Sequence, residues 1–269
     1  ERFQINGEMI AREKAMNENF SAYPQLAATP ENWQSSKAKL IALSVLITGI
    51  LYYCYAYLLR VFPSIMEQEL LSHFFITAGT FGNLTAFYYY SYAPMQLPVG
   101  VIVDRYGARR SLIIACLISV CGVLVFSTAR HLVQAEVGRF MIGFGSAFAY
   151  VTVLKLSTIW LPRRFFATAT CITTGCGMLA AVITDTYLTS YLQTFGFAAT
   201  LHFCLLLGIV LLVLIATLIR DKPKEDMAVC ATAVDTGFAI SYQQLGKYLW
   251  ILAKNPQMWI IGLIGALMY

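Results

Sequence analysis

The chain has 269 residues, of which 58% are hydrophobic and only 12% charged, with a mean hydropathy of +0.65; a soluble domain is far less apolar. Its 19 Lys and Arg outnumber 14 Asp and Glu, for a net charge of +5. The basic residues sit in short turns beside apolar runs, where they orient helices in a bilayer, so they form no extended face for nucleic acid.

Residues 1–35, mixed and polar with Pro24 and Pro30, are expected to form a cytoplasmic arm without a signal-peptide pattern. The first span follows Lys37 and Lys39 and runs from Leu40 to at least Phe62, long enough for the ~20 residues a bilayer requires, with Pro63 bending its outer end. The link from Glu67 to His73 carries two acids and no Lys or Arg and is expected outside. The second span, Ile76 to Val103, holds Asn83, Tyr88, Tyr89, Tyr90, Tyr92 and Gln96 with Pro94 and Pro98, and is too polar to face lipid all round. A charged turn then closes with Asp104, Arg105, Gly107, Arg109 and Arg110, and Gly107 is suited to a positive φ.

The third span, Ser111 to Ala129, is uncharged and free to face lipid. The fourth, Leu132 to Ile159, carries Glu136, Arg139 and Lys155 among Gly138, Gly143, Gly145 and Ser146, which marks an interior helix with close neighbours. Lys155, near its inner end, is expected to snorkel. The fifth span, Phe165 to Leu192, has a single acid, Asp185, and the sixth runs from Thr200 to Ile219. Residues 36–220 thus read as a six-helix bundle, 221–256 as a cytoplasmic connector with an amphipathic helix at Tyr242 to Lys254, and 257–269 as the start of a seventh span. Lys37, Lys39, Arg105, Arg109, Arg110, Arg163, Arg164, Arg220, Lys222 and Lys224 against Arg130 put the N-terminus in the cytoplasm of a multi-pass plasma (inner) membrane protein. The seven cysteines, mostly within apolar runs, read as packing residues.

The run Gly100-Val-Ile-Val-Asp104-Arg105-Tyr-Gly107-Ala-Arg109-Arg110 resembles the signature loop between helices 2 and 3 of major facilitator superfamily transporters. Gly138-Arg139-Phe140 with Gly143 and Gly145 is similar to the superfamily's pattern on helix 4, and Trp160-Leu161-Pro162-Arg163-Arg164 to a turn of bacterial organic-anion and amino-acid carriers. The resemblance implies an all-α membrane protein whose six-helix half is built from two inverted three-helix repeats, completed by the remaining half of the same carrier. Gly175-Cys176-Gly177 lacks the proline of the drug-antiporter pattern, which argues against drug export.

Ionisable groups within spans are functional candidates. Tyr53, Tyr57, Arg60 and Ser64 share one helical face, and a guanidinium flanked by phenols can grip a carboxylate or phosphate; Tyr57 and Arg60 resemble helix 1 of superfamily anion carriers. The alternative for Arg60 is snorkelling or pairing with Glu67 or Glu69. Tyr88, Tyr92 and Gln96 recur every four residues and offer polar contacts to a solute, or else pack between helices. Arg139 is a second substrate candidate or a local partner of Glu136, while Asp185 and Glu136 are candidate proton carriers. Gly100, Asp104, Arg105, Gly107, Arg109 and Arg110 are expected to form a conformational latch.

No nucleophile with a base, metal-ligand cluster or phosphate-binding glycine loop is visible, so neither an enzyme nor a cofactor is expected. The expected function is secondary active transport of a small polar, carboxylate-bearing solute by alternating access with proton coupling, the partners being substrate, protons and lipid. The alternative is a receptor, or a six-helix subunit, on the same scaffold.

Overall fold

The computed structural model describes residues 36–219, which are helical with no strand among the described residues: α1 (Ser36–Ile65), α2 (Glu67–Phe74), α3 (Ala78–Tyr106), α4 (Ala108–Ser127), α5 (Leu132–Trp160), a 3-10 turn (Arg163–Phe165) and α6 (Phe166–Leu218). The expected arm 1–35, connector 221–256 and seventh span 257–269 lie outside the described residues. Four helices, α1, α4, α5 and α6, are long and apolar enough to cross a membrane, as a multi-pass membrane protein requires.

The sequence reading differs at the Glu67 to His73 link, which is itself the short helix α2, and at two joints between spans. The second span continues past Val103 to Tyr106, so Asp104 and Arg105 are helical and the turn narrows to Gly107 alone, at φ 86° and ψ 155°, a region essentially reserved for glycine. The fifth and sixth spans meet at another single residue, Gly196 (φ 82°, ψ 176°), with helix on either side. In a straight helix Cys176 and Cys204 would stand about 42 Å apart. Their carbonyls instead accept from neighbouring residues of α1, Cys54 Sγ at 3.6 Å and Tyr55 Oη at 3.1 Å, so the chain folds back at Gly196.

Lipid offers no hydrophobic drive for helices to associate, so close packing and hydrogen bonds have to hold the bundle. The small residues of α5 supply both. A Cβ on Gly143 would strike the Tyr88 carbonyl and Ser91 Oγ of α3, and one on Gly138 would lie 2.9 Å from Gly122 O of α4. Ser91 Oγ donates across the first contact to Phe140 O at 2.7 Å. Tyr52 of α1 ties three helices together, its hydroxyl donating to Gly145 O of α5 at 3.1 Å and lying 3.2 Å from Ser119 Oγ of α4. As expected for an interior helix, α5 packs against α1, α3, α4 and α6. The third and sixth spans present Ile114, Leu117, Leu206, Val210 and Val213 outward, in keeping with a lipid-facing role.

Candidate functional site

Positions 53, 57 and 60 of α1 lie one above another at helical spacing, and α3, α5 and α6 close around them. Tyr53 Oη donates to Tyr57 Oη at 3.4 Å, and the two rings meet edge to face at 5.0 Å. Tyr150 of α5 lies 5.4 Å from Tyr53, and Gly177 of α6 leaves room for both α1 tyrosines. Arg60 extends from this aromatic wall toward α3. Its Nε donates to Tyr89 Oη at 3.0 Å, and its guanidinium carbon lies 5.3 Å from the Tyr89 ring centre and 5.8 Å from that of Tyr57.

Arg60 is half-buried and forms no ion pair with Glu67, Glu69 or any other described carboxylate. A guanidinium held by one neutral hydroxyl and two ring faces keeps its charge unneutralised and donors available for an anion. Ser64, on the same face, is exposed.

The helical face of Tyr88, Tyr92 and Gln96 divides between environments. Tyr88 is buried and stacks on half-buried Tyr92 at 5.6 Å, whereas Gln96 is exposed. Arg139 is only 1% exposed. Its Nη1 donates to Leu59 O at 2.8 Å, and its guanidinium carbon lies between the Phe62 and Tyr88 rings at 5.4 and 5.0 Å. Glu136 is half-buried and Asp185 exposed, and neither forms an ion pair with Arg139 among the described residues.

At the opposite end of the bundle the charged turn separates into distinct contacts. Asp104 Oδ1 pairs with Lys155 Nζ at 2.8 Å, so the lysine expected to snorkel also has a carboxylate partner. The pair forms because α3 runs three residues further than expected and carries Asp104 alongside α5. Arg109 Nη2 donates to Ala216 O at 2.8 Å, capping one of the last carbonyls of α6 where the helix dipole is negative. Arg105 lies over Tyr106 at 5.7 Å, and Arg110 is exposed. Gly100, Asp104, Leu154, Lys155 and Phe166 line a cavity of about 640 Å³ between α3, α5 and α6.

Residues 41–269 match the family described as Major Facilitator Superfamily. The chain belongs to this superfamily. It is 32% identical over 124 residues to the uncharacterized transporter YybO of Bacillus subtilis, a match covering 45% of this chain and 27% of that protein. It is 29% identical over 126 residues to the probable sulfoacetate transporter SauU of Cupriavidus necator, covering 45% and 29%. With a hexuronate transporter of Bacillus subtilis it shares 22% over 191 residues, covering 71% and 44%. The chain therefore spans less than half the length of these superfamily relatives.

Two residues around Arg60 escape sequence reasoning about this superfamily member. Tyr89, the direct partner of Arg60, was one tyrosine in a run of three, and Tyr150, which lies beside Tyr53, was not among the expected site residues. The missing information is which side of α3 and α5 turns toward α1.

Proposed function

We propose that this superfamily chain is the N-terminal half of a secondary carrier for a small carboxylate-bearing anion, working by alternating access with proton coupling. The observation that carries the reading is Arg60, a half-buried guanidinium without a described carboxylate partner and framed by Tyr57 and Tyr89. The names of two relatives point to the same chemistry, because sulfoacetate and hexuronates both bear a carboxylate. Arg60 grips that group while Tyr53, Tyr57, Tyr92 and Gln96 meet the polar remainder, and Asp185 or Glu136 carries the proton. The two glycine joints support inverted three-helix repeats. Gly107 and Gly196 adopt nearly the same backbone angles, each between the second and third spans of its repeat.

The protein sits in the plasma (inner) membrane with its N-terminus and the Gly107 turn in the cytoplasm. The Gly100 to Arg110 latch there stabilises one access state against the second half of the carrier. Asp104→Asn is expected to cost at most about 1 kcal/mol of stability, because the pair with Lys155 is partly exposed. It should nevertheless shift the ratio of inward-open to outward-open protein, read by double electron-electron resonance between spin labels, with substrate ranking unchanged. A changed ranking at unchanged populations would refute the latch.

The decisive experiment is uptake into proteoliposomes by the full-length carrier, offering D-glucuronate, sulfoacetate, a dipeptide, neutral amino acids and glucose with and without an inward proton gradient. Uptake is expected for a carboxylate-bearing anion, accelerated by the gradient and negligible for glucose. Transport of glucose with no anion transported would overturn the proposal.

A further inference from the structure

The most deeply buried charge among the described residues, Arg139, lies beside Arg60 and is explained by a proline. Pro63 is inside α1 and has no N–H to donate to the carbonyl four residues earlier, Leu59 O. Within a membrane an unsatisfied backbone carbonyl is costly, and a freed one needs a donor from a neighbouring helix. Arg139 Nη1 supplies it at 2.8 Å from α5. The guanidinium is held in place by the rings of Phe62 and Tyr88, and its Nε has no partner among the described residues.

The position of this bond gives it significance beyond packing. The Leu59 carbonyl belongs to the same rigid peptide plane as the Arg60 nitrogen, so fixing the carbonyl fixes the tilt of that plane and the direction in which the Arg60 side chain leaves α1. Tyr88, beneath the Arg139 guanidinium, lies 5.2 Å from Tyr89, which accepts from Arg60. Arg139 therefore reaches the Arg60 environment from α1 and α3 together.

We infer that Arg139 is a positioning residue for the anion grip. It replaces the hydrogen bond that Pro63 removes from α1 and so presets Arg60 between Tyr57 and Tyr89, without touching the solute. This deepens the proposed anion site and rests on that reading for its link to binding.

The test is a mutant cycle in the full-length protein, because Pro63→Ala returns a backbone N–H to Leu59 O and makes Arg139 dispensable. Three readouts are used: thermal unfolding in detergent, the rate at which phenylglyoxal modifies Arg60 as followed by mass spectrometry, and binding of D-glucuronate or sulfoacetate. Arg139→Met is expected to lower Tm by roughly 5 °C, as loss of a buried carbonyl's donor implies, and to change the Arg60 modification rate severalfold. Anion affinity should fall about tenfold. In the Pro63→Ala background the same substitution should change each readout by less than about half as much, the non-additivity expected of groups sharing one partner. Arg139→Lys, which keeps one donor, should fall between parent and Arg139→Met. If Arg139→Met does not fold, folding of the double variant supports the inference and its failure overturns it. Equal effects in both backgrounds, or an unchanged Arg60 rate, also overturn it. The phenylglyoxal measurement needs no solute, so it decides the positioning role even if neither anion binds the parent, an outcome that would count against the proposed substrate class alone.

Discussion

Arg60→Gln is expected to remove most affinity for an anionic solute, and Arg60→Lys to weaken it by about ten- to hundredfold, the equivalent of roughly 1.5–3 kcal/mol for a charge-assisted contact in a partly dehydrated site. The geometry says why lysine is no substitute. Arg60 uses Nε to hold Tyr89 Oη at 3.0 Å while its planar group rests against the Tyr57 and Tyr89 rings. The other two nitrogens of the fork can then meet both oxygens of a carboxylate. A lysine ammonium keeps the charge but is a single point, so it cannot hold the tyrosine and a bidentate anion in the same way. Equilibrium binding in detergent, on variants verified as folded, measures the effect. Unchanged affinity in both variants would move Arg60 out of the site and remove the main support for an anionic solute.

Gly143→Val should be the most damaging single change to the fold. Its Cβ would collide with the Tyr88 carbonyl and Ser91 Oγ, and a carbonyl within a helix cannot turn aside. Relief requires α3 to retreat from α5, which stretches the Ser91 to Phe140 hydrogen bond and withdraws Tyr88 from Arg139 and Tyr89 from Arg60. A loss of about 3 kcal/mol or more is expected, at the upper end for overpacking, and seen as a lowered Tm with poor yield of folded protein. Gly175→Ala is the contrasting control. No described atom beyond the backbone of its own helical turns lies within 4 Å of the Cβ it adds, and alanine is the better helix former by roughly 0.5–1 kcal/mol. Equal damage from both substitutions would show that glycine content, and not contact, sets the tolerance of this bundle.

The helices were legible because span length, apolarity and basic turns are properties of single segments. Gly107 was readable as a turn because a charged link that short leaves few conformations, and Arg60 with Tyr57 because both lie on one helix at known spacing. What sequence could not supply was how helices face one another. Tyr88, Tyr92 and Gln96 recur every four residues, yet Tyr89 meets Arg60, because the close approach at Gly143 sets how α3 is rotated. The partner of Arg139 is a main-chain carbonyl 80 residues away, freed by Pro63, and residue spacing on α5 cannot indicate it. The carboxylate partner of Lys155 was hidden for a related reason, since the pairing depends on a helix end that lies three residues beyond Val103.

Gly107 and Gly196 also determine where the bundle can store slack. A one-residue joint leaves its two helices almost no freedom to separate at that end, so α3 with α4, and the two arms of α6, are tied closely at their tips. The longer links are the stretch from α1 through α2 to α3, the four residues between α4 and α5 and the five between α5 and α6. α1 and α5, which neither joint ties, are held to each other by side chains, through the Arg139 to Leu59 and Tyr52 to Gly145 hydrogen bonds. The clamp beside Arg60 thus holds α1 against α5 together with the bond from Tyr52 Oη to Gly145 O, and of this pair it is the one that acts at the site itself.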